Sequence, residues 1–434
     1  MKNYKLLAFL LLFAPCFLFL NAQVAGTNST YSRFGLGVLN EQANGFTRSM
    51  GGVGFGVRSG NRINTVNPAS YSAIDSLSLI FDVGMSGSFG KMTQDTKSVG
   101  VNNASFDYVH VGMHIAKRLG LAVGFMPYTS IGYSFSSPEM AVTNDSYTTQ
   151  LITSSNSYSG SGGLNQAYLG LGWKAYRDLS IGANVGFVWG KYNHYVTPQY
   201  MEGGVSSSSY NGTVKNYTSS IKTYKIDLGA QYPVRLSRQD WLTLGATAGI
   251  GHKIAQDAML MLDTTKYTAP SPFDLPYTFG FGGAWQHKNT LLVAADVSHE
   301  RWGNCRMPIE TSDTESPYQP MKGYYNNMTK VAVGSQWTPN PFGKYWERIQ
   351  YRAGMNFSTP YLKVNGKEGP KEMRLTIGAG VPILNGINSR SVVNVGLQWM
   401  RRSAGGVGMI KEDYFVINLG VTFNERWFVK YKIE

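Results

Sequence analysis

From Leu77 to Phe423 the chain alternates apolar with small or polar residues at a period of two, in segments of 10 to 15 residues. In the last segment Phe415, Ile417, Leu419, Val421 and Phe423 fall on one face, with Asn418, Gly420 and Thr422 on the other. Leu242, Leu244, Ala246, Ala248 and Ile250 oppose Thr243, Gly245, Thr247 and Gly249 in the same way. So do Met373, Leu375, Ile377 and Val381 against Arg374, Thr376, Gly378 and Gly380, and Leu179, Ile181, Val185, Phe187 and Trp189 against Ser180, Gly182, Asn184 and Gly186. A β-strand sends successive side chains to opposite faces, so each segment reads as a strand with one apolar face and one small, polar face. Strands of a soluble sandwich run to ~5–6 residues, whereas a tilted bilayer crossing takes ~9–11. The pattern predicts an all-β fold, a transmembrane antiparallel β-barrel with lipid outside and a polar lumen within.

The pattern repeats fourteen times, near 77–90, 103–116, 118–136, 162–176, 178–194, 221–235, 241–255, 276–286, 289–300, 327–338, 347–358, 371–382, 389–402 and 412–424. An even number suits a closed antiparallel ring, which leaves no strand edge facing lipid. The connections after strands 2, 4, 6, 8 and 12 are short, while those after strands 3, 5, 7 and 9 run to roughly twenty residues or more and are rich in Ser, Tyr and Asn. Such barrels have short periplasmic turns and long external loops, which places both termini in the periplasm. The turn at 339–346 is longer than its peers.

Upstream, Lys2 and Lys5 precede an apolar run from Leu6 to Leu20 that Pro15 interrupts, and Asn21-Ala22 offers a small residue before Gln23. This reads as a secretory signal cleaved near Ala22. The competing reading, an anchor helix, needs ~20 apolar residues. Cys16 follows Pro15, a poor context for lipoprotein processing. Charged residues make up 15% of the chain, against ~25% in soluble domains. Glycines number 50, aromatics reach 13%, and mean hydropathy is −0.19. No later apolar run has helical spanning length, which excludes a helical membrane protein. Cys305 alone remains after cleavage, so no internal disulfide, cysteine metal site or cofactor is expected. The net charge of +13 fits contact with anionic outer-membrane lipids and lipopolysaccharide, and export argues against a nucleic-acid partner.

Residues 23–76 break the alternation. A stretch of ~50 residues without regular structure is uncommon unless functional or disordered. Two readings compete, a disordered periplasmic tail and a plug folded inside the lumen. Phe34, Leu36, Val38, Met50, Val53 and Phe55 supply apolar anchors that favour the plug. Within this segment, Arg48-Ser49-Met50-Gly51-Gly52-Val53-Gly54 and then Asn67-Pro68-Ala69 resemble the N-terminus of the FadL/TodX family of outer-membrane transporters for hydrophobic compounds. The resemblance implies a hatch filling a fourteen-stranded barrel, with Gly51, Gly52, Asn67, Pro68 and Ala69 as its gating elements. The run Tyr31-Ser32-Arg33-Phe34-Gly35-Leu36-Gly37 looks like a branch-specific start, and no mechanism attaches to it. The family's third strand is kinked, opening the wall so that substrate leaves sideways. By strand order this implies a lateral opening at Phe125, Met126, Pro127 and Tyr128. A proline lacks the ladder's backbone donor, so Pro127 marks either such a kink or a harmless bulge near the rim. The expected domains are a signal peptide (1–22), a hatch (23–76), a barrel (77–424) and an aromatic, basic periplasmic tail (425–434).

Other signals carry less. His110 and His114 stand four apart on a strand, ~13 Å, too far for one ion to bridge. Gly52, Gly54 and Gly56 do not follow a strand or open a helix, so they are no dinucleotide loop. Asp296, His299 and Glu300 lack a nucleophile motif and read as a solvated rim. Trp173, Trp189, Trp285, Trp337 and Trp399 fall near strand ends, as in an interfacial girdle. No catalytic constellation is present in the sequence, so no enzyme is expected; the resemblance implies a channel for passive uptake of small hydrophobic molecules, fatty-acid-like or aromatic. Loops after strands 3, 5 and 7 would offer the landing site. The alternative is a permanently plugged scaffold in protein secretion or lipopolysaccharide handling, binding a protein partner at its loops or near Trp427. A general porin would need residues 23–76 to leave the lumen.

Overall fold

The computed structural model describes residues 26–137, 140–142, 152–202, 205–206, 212–383, 390–406 and 408–426. The expected signal peptide and the tail from Trp427 lie outside the described residues. Fourteen strands form the wall: β1 (Ser78–Gln94), β2 (Lys97–Ala116), β3 (Leu119–Ser136), β4 (Ile152–Tyr176), β5 (Leu179–Glu202), β6 (Lys215–Arg235), β7 (Asp240–Gly249), β8 (Thr278–His287), β9 (Leu291–Glu300), β10 (Met328–Trp337), β11 (Gln350–Ser358), β12 (Lys371–Pro382), β13 (Val392–Ser403) and β14 (Lys411–Arg426). Each pairs antiparallel with the next, and β14 closes on β1 from Ser78↔Arg426 to Thr93↔Lys411. No helix of the described residues is long and apolar enough to cross a membrane. The apolar face of each strand points outward: Val185, Phe187, Phe415, Ile417 and Leu419 are exposed, while Asn184, Asn418 and Thr422 are buried inside.

Several ends differ from the sequence-based ranges. β4, β5 and β6 run far beyond them, because the Ser- and Tyr-rich stretches read as loops still pair strand to strand, from Ile152↔Glu202 and Val196↔Lys215 inward. The loops after β3 and β5 are correspondingly shorter. β7 stops at Gly249, and His252–Lys253 pairs instead with Asp274–Leu275 in the loop. β14 continues through Arg426, so Glu425 and Arg426 pair with Leu79 and Ser78.

Residues 26–76 lie within the ring. They form a 3-10 turn (Thr30–Arg33), a two-residue strand (Val38–Leu39), one α-helical turn (Gly45–Arg48) and a second 3-10 turn (Pro68–Ala73). Asn44 caps the helical turn by accepting from the Thr47 amide at 3.2 Å. Gly51 and Gly52 end it with φ of +73° and +80°, and the Gly52 amide reaches back to the Thr47 carbonyl at 2.9 Å. Side chains rarely adopt that backbone, so the pair favours glycine.

The segment also explains much of the glycine content. Inward-facing glycines on many strands let its backbone approach the wall. A Cβ on Gly334 or Gly354 would strike Met50, and one on Gly378 or Gly396 would strike Ser49. Gly172 and Gly182 face Pro68, Gly229 faces Asn67, and Gly245 faces Phe55. Apolar clusters fill the space above and below. Phe46, Met50, Val53 and Val57 pack on Ala284, Ala294 and Ala332. Ile63, Tyr71 and Ile74 pack on Ile80, Tyr108, Ala122 and Met126. Burying one such side chain stabilises by ~1.5–3 kcal/mol.

Candidate functional site

β2 and β3 are paired only from Ala116↔Leu119 to Val109↔Phe125. Beyond that point β2 continues to Lys97 against β1, and β3 continues to Ser136 against β4. Between them the wall ladder is interrupted for half the length of β2. The break lies beside the residues at which a lateral opening is expected. Phe125 makes the last pair, Met126 and Tyr128 are buried, and Pro127 lies mid-strand, away from the rim. On its other side β3 shifts register against β4 between Pro127 and Thr129, so Tyr128 is an extra residue. Gly162 and Gly163 of β4, opposite this bulge, take φ of +129° and +125°.

The lumenal segment takes β2's place as partner of β3. Val38 and Leu39 pair with Ser130 and Thr129. The Asn40 amide donates to the Tyr128 carbonyl at 3.0 Å, and Gln42 Nε2 donates to the Pro127 carbonyl at 3.0 Å. The Gly132 amide donates to Ser32 Oγ at 3.1 Å. Unsatisfied backbone groups at membrane depth cost several kcal/mol each, so these substitutes are what makes the open ladder tolerable.

The same segment is tied to the other side of the break by ion pairs. Arg48 reaches Asp107 of β2 at 2.6 Å and Glu41 at 3.7 Å. Glu41 also meets Arg374 at 2.6 Å, Arg374 meets Glu372 at 2.7 Å, and Glu372 meets Arg402 at 2.7 Å. Arg402 lies 3.6 Å from Glu412, whose two carboxylate oxygens share the proton of the Ser29 hydroxyl at 2.7 and 2.8 Å. This buried ladder runs from β2 through the segment to β12, β13 and β14.

Of the proposed gating residues, Asn67 does the most bonding. It caps the second 3-10 turn by accepting from the Ala69 amide at 3.1 Å, and its Nδ2 donates to the carbonyls of Phe55 at 2.9 Å and Ala230 at 3.1 Å. Pro68 opens that turn, and Ala69 is fully buried. Gly51 donates to Thr376 Oγ1 at 3.0 Å and accepts from Asn356 Nδ2 at 2.8 Å. The structure corrects one reading. Asp296 is no solvated rim group: it is 6% exposed, points inward from the middle of β9, and accepts from the Gly54 and Phe55 amides at 2.5 and 2.9 Å. Its position among the alternating residues of a strand could have shown this. Glu41, Glu372, Arg402 and Glu412 carried no sequence signal, and Arg48 stood within the quoted motif without a role. His110 is buried against Tyr168, 3.1 Å from its hydroxyl, and His114 meets the Ile74 carbonyl at 3.1 Å.

A cavity of about 300 Å³ lies between the segment and the wall, with Val38, Leu39, Met126, Tyr128 and Met328 among its apolar lining. On the side of the long loops a packed apolar cluster borders it. Leu36 of the segment meets Phe273 and Leu275 from the loop after β7, Trp302 and Tyr325 from the loop after β9, and Tyr361 and Leu362 from the loop after β11. The Trp302 and Tyr361 rings lie 5.0 Å apart, and the Tyr361 hydroxyl donates to the Gly37 carbonyl. Among the described residues this buried cluster thus draws on the loops after β7, β9 and β11. At the short-turn end, Phe342 and Trp346 stand 87% and 73% exposed on the connection between β10 and β11.

The sequence profile of the BamG family matches residues 2–434. No curated protein matches the chain. Among solved structures, the toluene transporter TbuX of Ralstonia pickettii is similar at a TM-score of 0.60 and 14% identity, over 88% of this chain and 98% of that one. The toluene transporter TodX of P. putida is similar at 0.56 and 15%, over 90% and 100%. A FadL homologue of Pseudomonas aeruginosa is similar at 0.57 and 12%, over 89% and 99%. At these identities the likeness establishes a shared fold, in keeping with the resemblance read from the hatch motifs.

Proposed function

This chain belongs to the BamG family, and from that premise we propose that it is an outer-membrane channel for passive passage of small hydrophobic molecules, with lateral release through its wall. One observation carries the reading: the ladder between β2 and β3 is interrupted beside a lumenal cavity lined by Met126 and Tyr128. Once the Val38–Leu39 strand parts from β3, a hydrophobic molecule in that cavity reaches lipid without crossing water. The fold shared with two toluene transporters supports this reading. In this reading residues 26–76 act as the hatch that blocks a straight path through the lumen, and gating consists of separating their Val38–Leu39 strand from β3. In the test, purified barrel is reconstituted in liposomes and entry of radiolabelled toluene is followed. Pro127→Val restores a backbone donor and removes the reason for the bulge, and it is expected to slow entry at least fivefold. Equal rates for both proteins, or for protein-free liposomes, would sink the proposal.

A second reading, a plugged scaffold for a protein partner, is favoured by two observations: the apolar packing of loops onto Leu36 of the lumenal segment, and the exposed Phe342 and Trp346. It predicts no ligand passage, together with a stoichiometric partner that is lost on Phe342→Ser with Trp346→Ser.

A further inference from the structure

We propose that the short-turn mouth of the barrel is a docking site for an acidic peptide segment with an apolar anchor residue, carried by a partner protein on that side of the membrane. The inference holds whether the barrel conducts or is plugged. It uses a second cavity that shares no lining residue with the one described above.

This cavity, of about 670 Å³, lies between the lumenal segment and the turns after β6 and β8. Thr243 and Ala284, both buried on the lumen face, form part of its wall, so it opens inside the ring and not onto lipid. Trp241 stands two residues before Thr243 on β7 and therefore faces the same way. It is 41% exposed, and with Leu292 and Phe342 it gives the cavity an apolar side. Gln239, Gln286 and Asn289 add side-chain amides, which both donate and accept, as a peptide backbone does. A free carboxylate only accepts.

The charge of the lining is one-sided. Arg58, Arg238 and Lys288 belong to it, and no Asp or Glu does. None of the three makes an ion pair among the described residues. The nearby carboxylates are already engaged. Asp178 pairs with Lys174 at 2.8 Å, and Asp240 with His287 at 2.8 Å, accepting also from Ser237 Oγ at 2.5 Å. Arg58, from the lumenal segment, is held in place by neutral oxygens alone: Ser180 Oγ at 2.9 Å, Ser72 Oγ at 3.1 Å and Gln231 Oε1 at 3.5 Å. Its Nε has no acceptor among the described residues, and the side chain is only partly buried. Burial lowers the guanidinium from its ordinary value, and Asp178 offsets this only in part. A guanidinium fixed by neutral groups, with a donor to spare and no counterion, is preorganised for a carboxylate. Complementary charge therefore selects an acidic segment, and Trp241, Leu292 and Phe342 select an apolar residue within it.

The test uses the full barrel in nanodiscs, titrated calorimetrically with synthetic probes. An acidic peptide, Gly-Asp-Glu-Phe-Glu-Asp-Gly, is compared with its Asn and Gln analogue, its Lys analogue and phenylpropionate. The acidic peptide is expected to bind at least tenfold more tightly than any of the others. Arg238→Gln with Lys288→Gln, both exposed on turns, is expected to weaken it about tenfold. Arg58→Gln, which keeps a donor for Ser180, is expected to weaken it about fivefold. Lys91→Gln with Lys97→Gln removes two exposed charges at the opposite end of the barrel, and it is expected to leave the affinity unchanged. No binding of the acidic peptide, equal binding of the acidic and neutral peptides, or equal losses in the two double variants would overturn the docking site. Phenylpropionate bound as tightly as the peptide would overturn the peptide assignment in favour of a small acid. None of these outcomes bears on toluene entry, so the channel reading stands or falls separately.

Discussion

The two sides of the break in the wall ladder hold the lumenal segment by unequal means. On the side formed by β2, with β12, β13 and β14 behind it, the grip is a continuous ladder of buried ion pairs through Arg48 and Glu41. On the β3 side it is a two-residue strand pairing and a few single hydrogen bonds, such as Gln42 to the Pro127 carbonyl. A neutral hydrogen bond contributes ~0.5–1.5 kcal/mol net, whereas breaking one partner from a buried ion pair costs ~3–5 kcal/mol. If the break widens, the segment therefore stays with β12–β14 and parts from β3. The difference teaches that a plug can be fixed in place and still allow movement at one edge.

The largest test attacks the strong side. Glu41→Ala leaves Arg48 and Arg374 buried with their shared counterion gone, a loss of ~3–5 kcal/mol. Limited proteolysis is expected to cut within residues 26–76 while the barrel stays resistant. An uncut segment would mean that the ladder is not what fixes it. Next comes a steric test. A Cβ on Gly354 would enter the Met50 backbone, and overpacking costs ~1–3 kcal/mol. Gly354→Ala is expected to displace the segment and raise ion conductance in planar bilayers above the wild-type level.

Acid probes the same side more gently. Burial pushes the Glu41 carboxyl up, but Arg374, Lys330 and Arg48 outweigh it and hold the group below its ordinary value. A lowered folded-state pKa gives stability that is present above the ordinary carboxylate pKa and lost as pH falls through the lower one. Amide exchange in residues 38–52 is thus expected to be flat from neutral pH to 5 and to quicken only in stronger acid, once the intrinsic exchange rate is divided out. The smallest effect belongs to the weak side. Gln42→Ala removes one bond to β3, ~1 kcal/mol, and is expected to speed exchange at 128–132 without altering the melting temperature of the barrel.

Much of the wall is legible in the sequence, because alternation against lipid is a local property of each strand. The strand count follows from it, whereas the proposed opening at Pro127 comes from the strand order of the family that the hatch motifs resemble. The motif glycines and Asn67 stand out as marked positions, although their tasks do not: Asn67 works by holding carbonyls of β6 and its own segment, which no local pattern reveals. Asp296 misleads because its neighbours Ser298, His299 and Glu300 make that end of β9 look wet, whereas closure turns the middle of the strand inward.

The sequence by itself determined that this protein is a ring of strands between lipid and a polar interior, since each side chain's face depends only on its parity along the strand. Only the tertiary structure decided which interior groups meet. Glu41 and Arg374 stand 333 residues apart, and Leu39 and Thr129 become strand partners only where β2 lets go of β3. Those contacts depend on how the closed ring folds around its own N-terminus, a long-range choice made by fit and charge that no short stretch of sequence encodes.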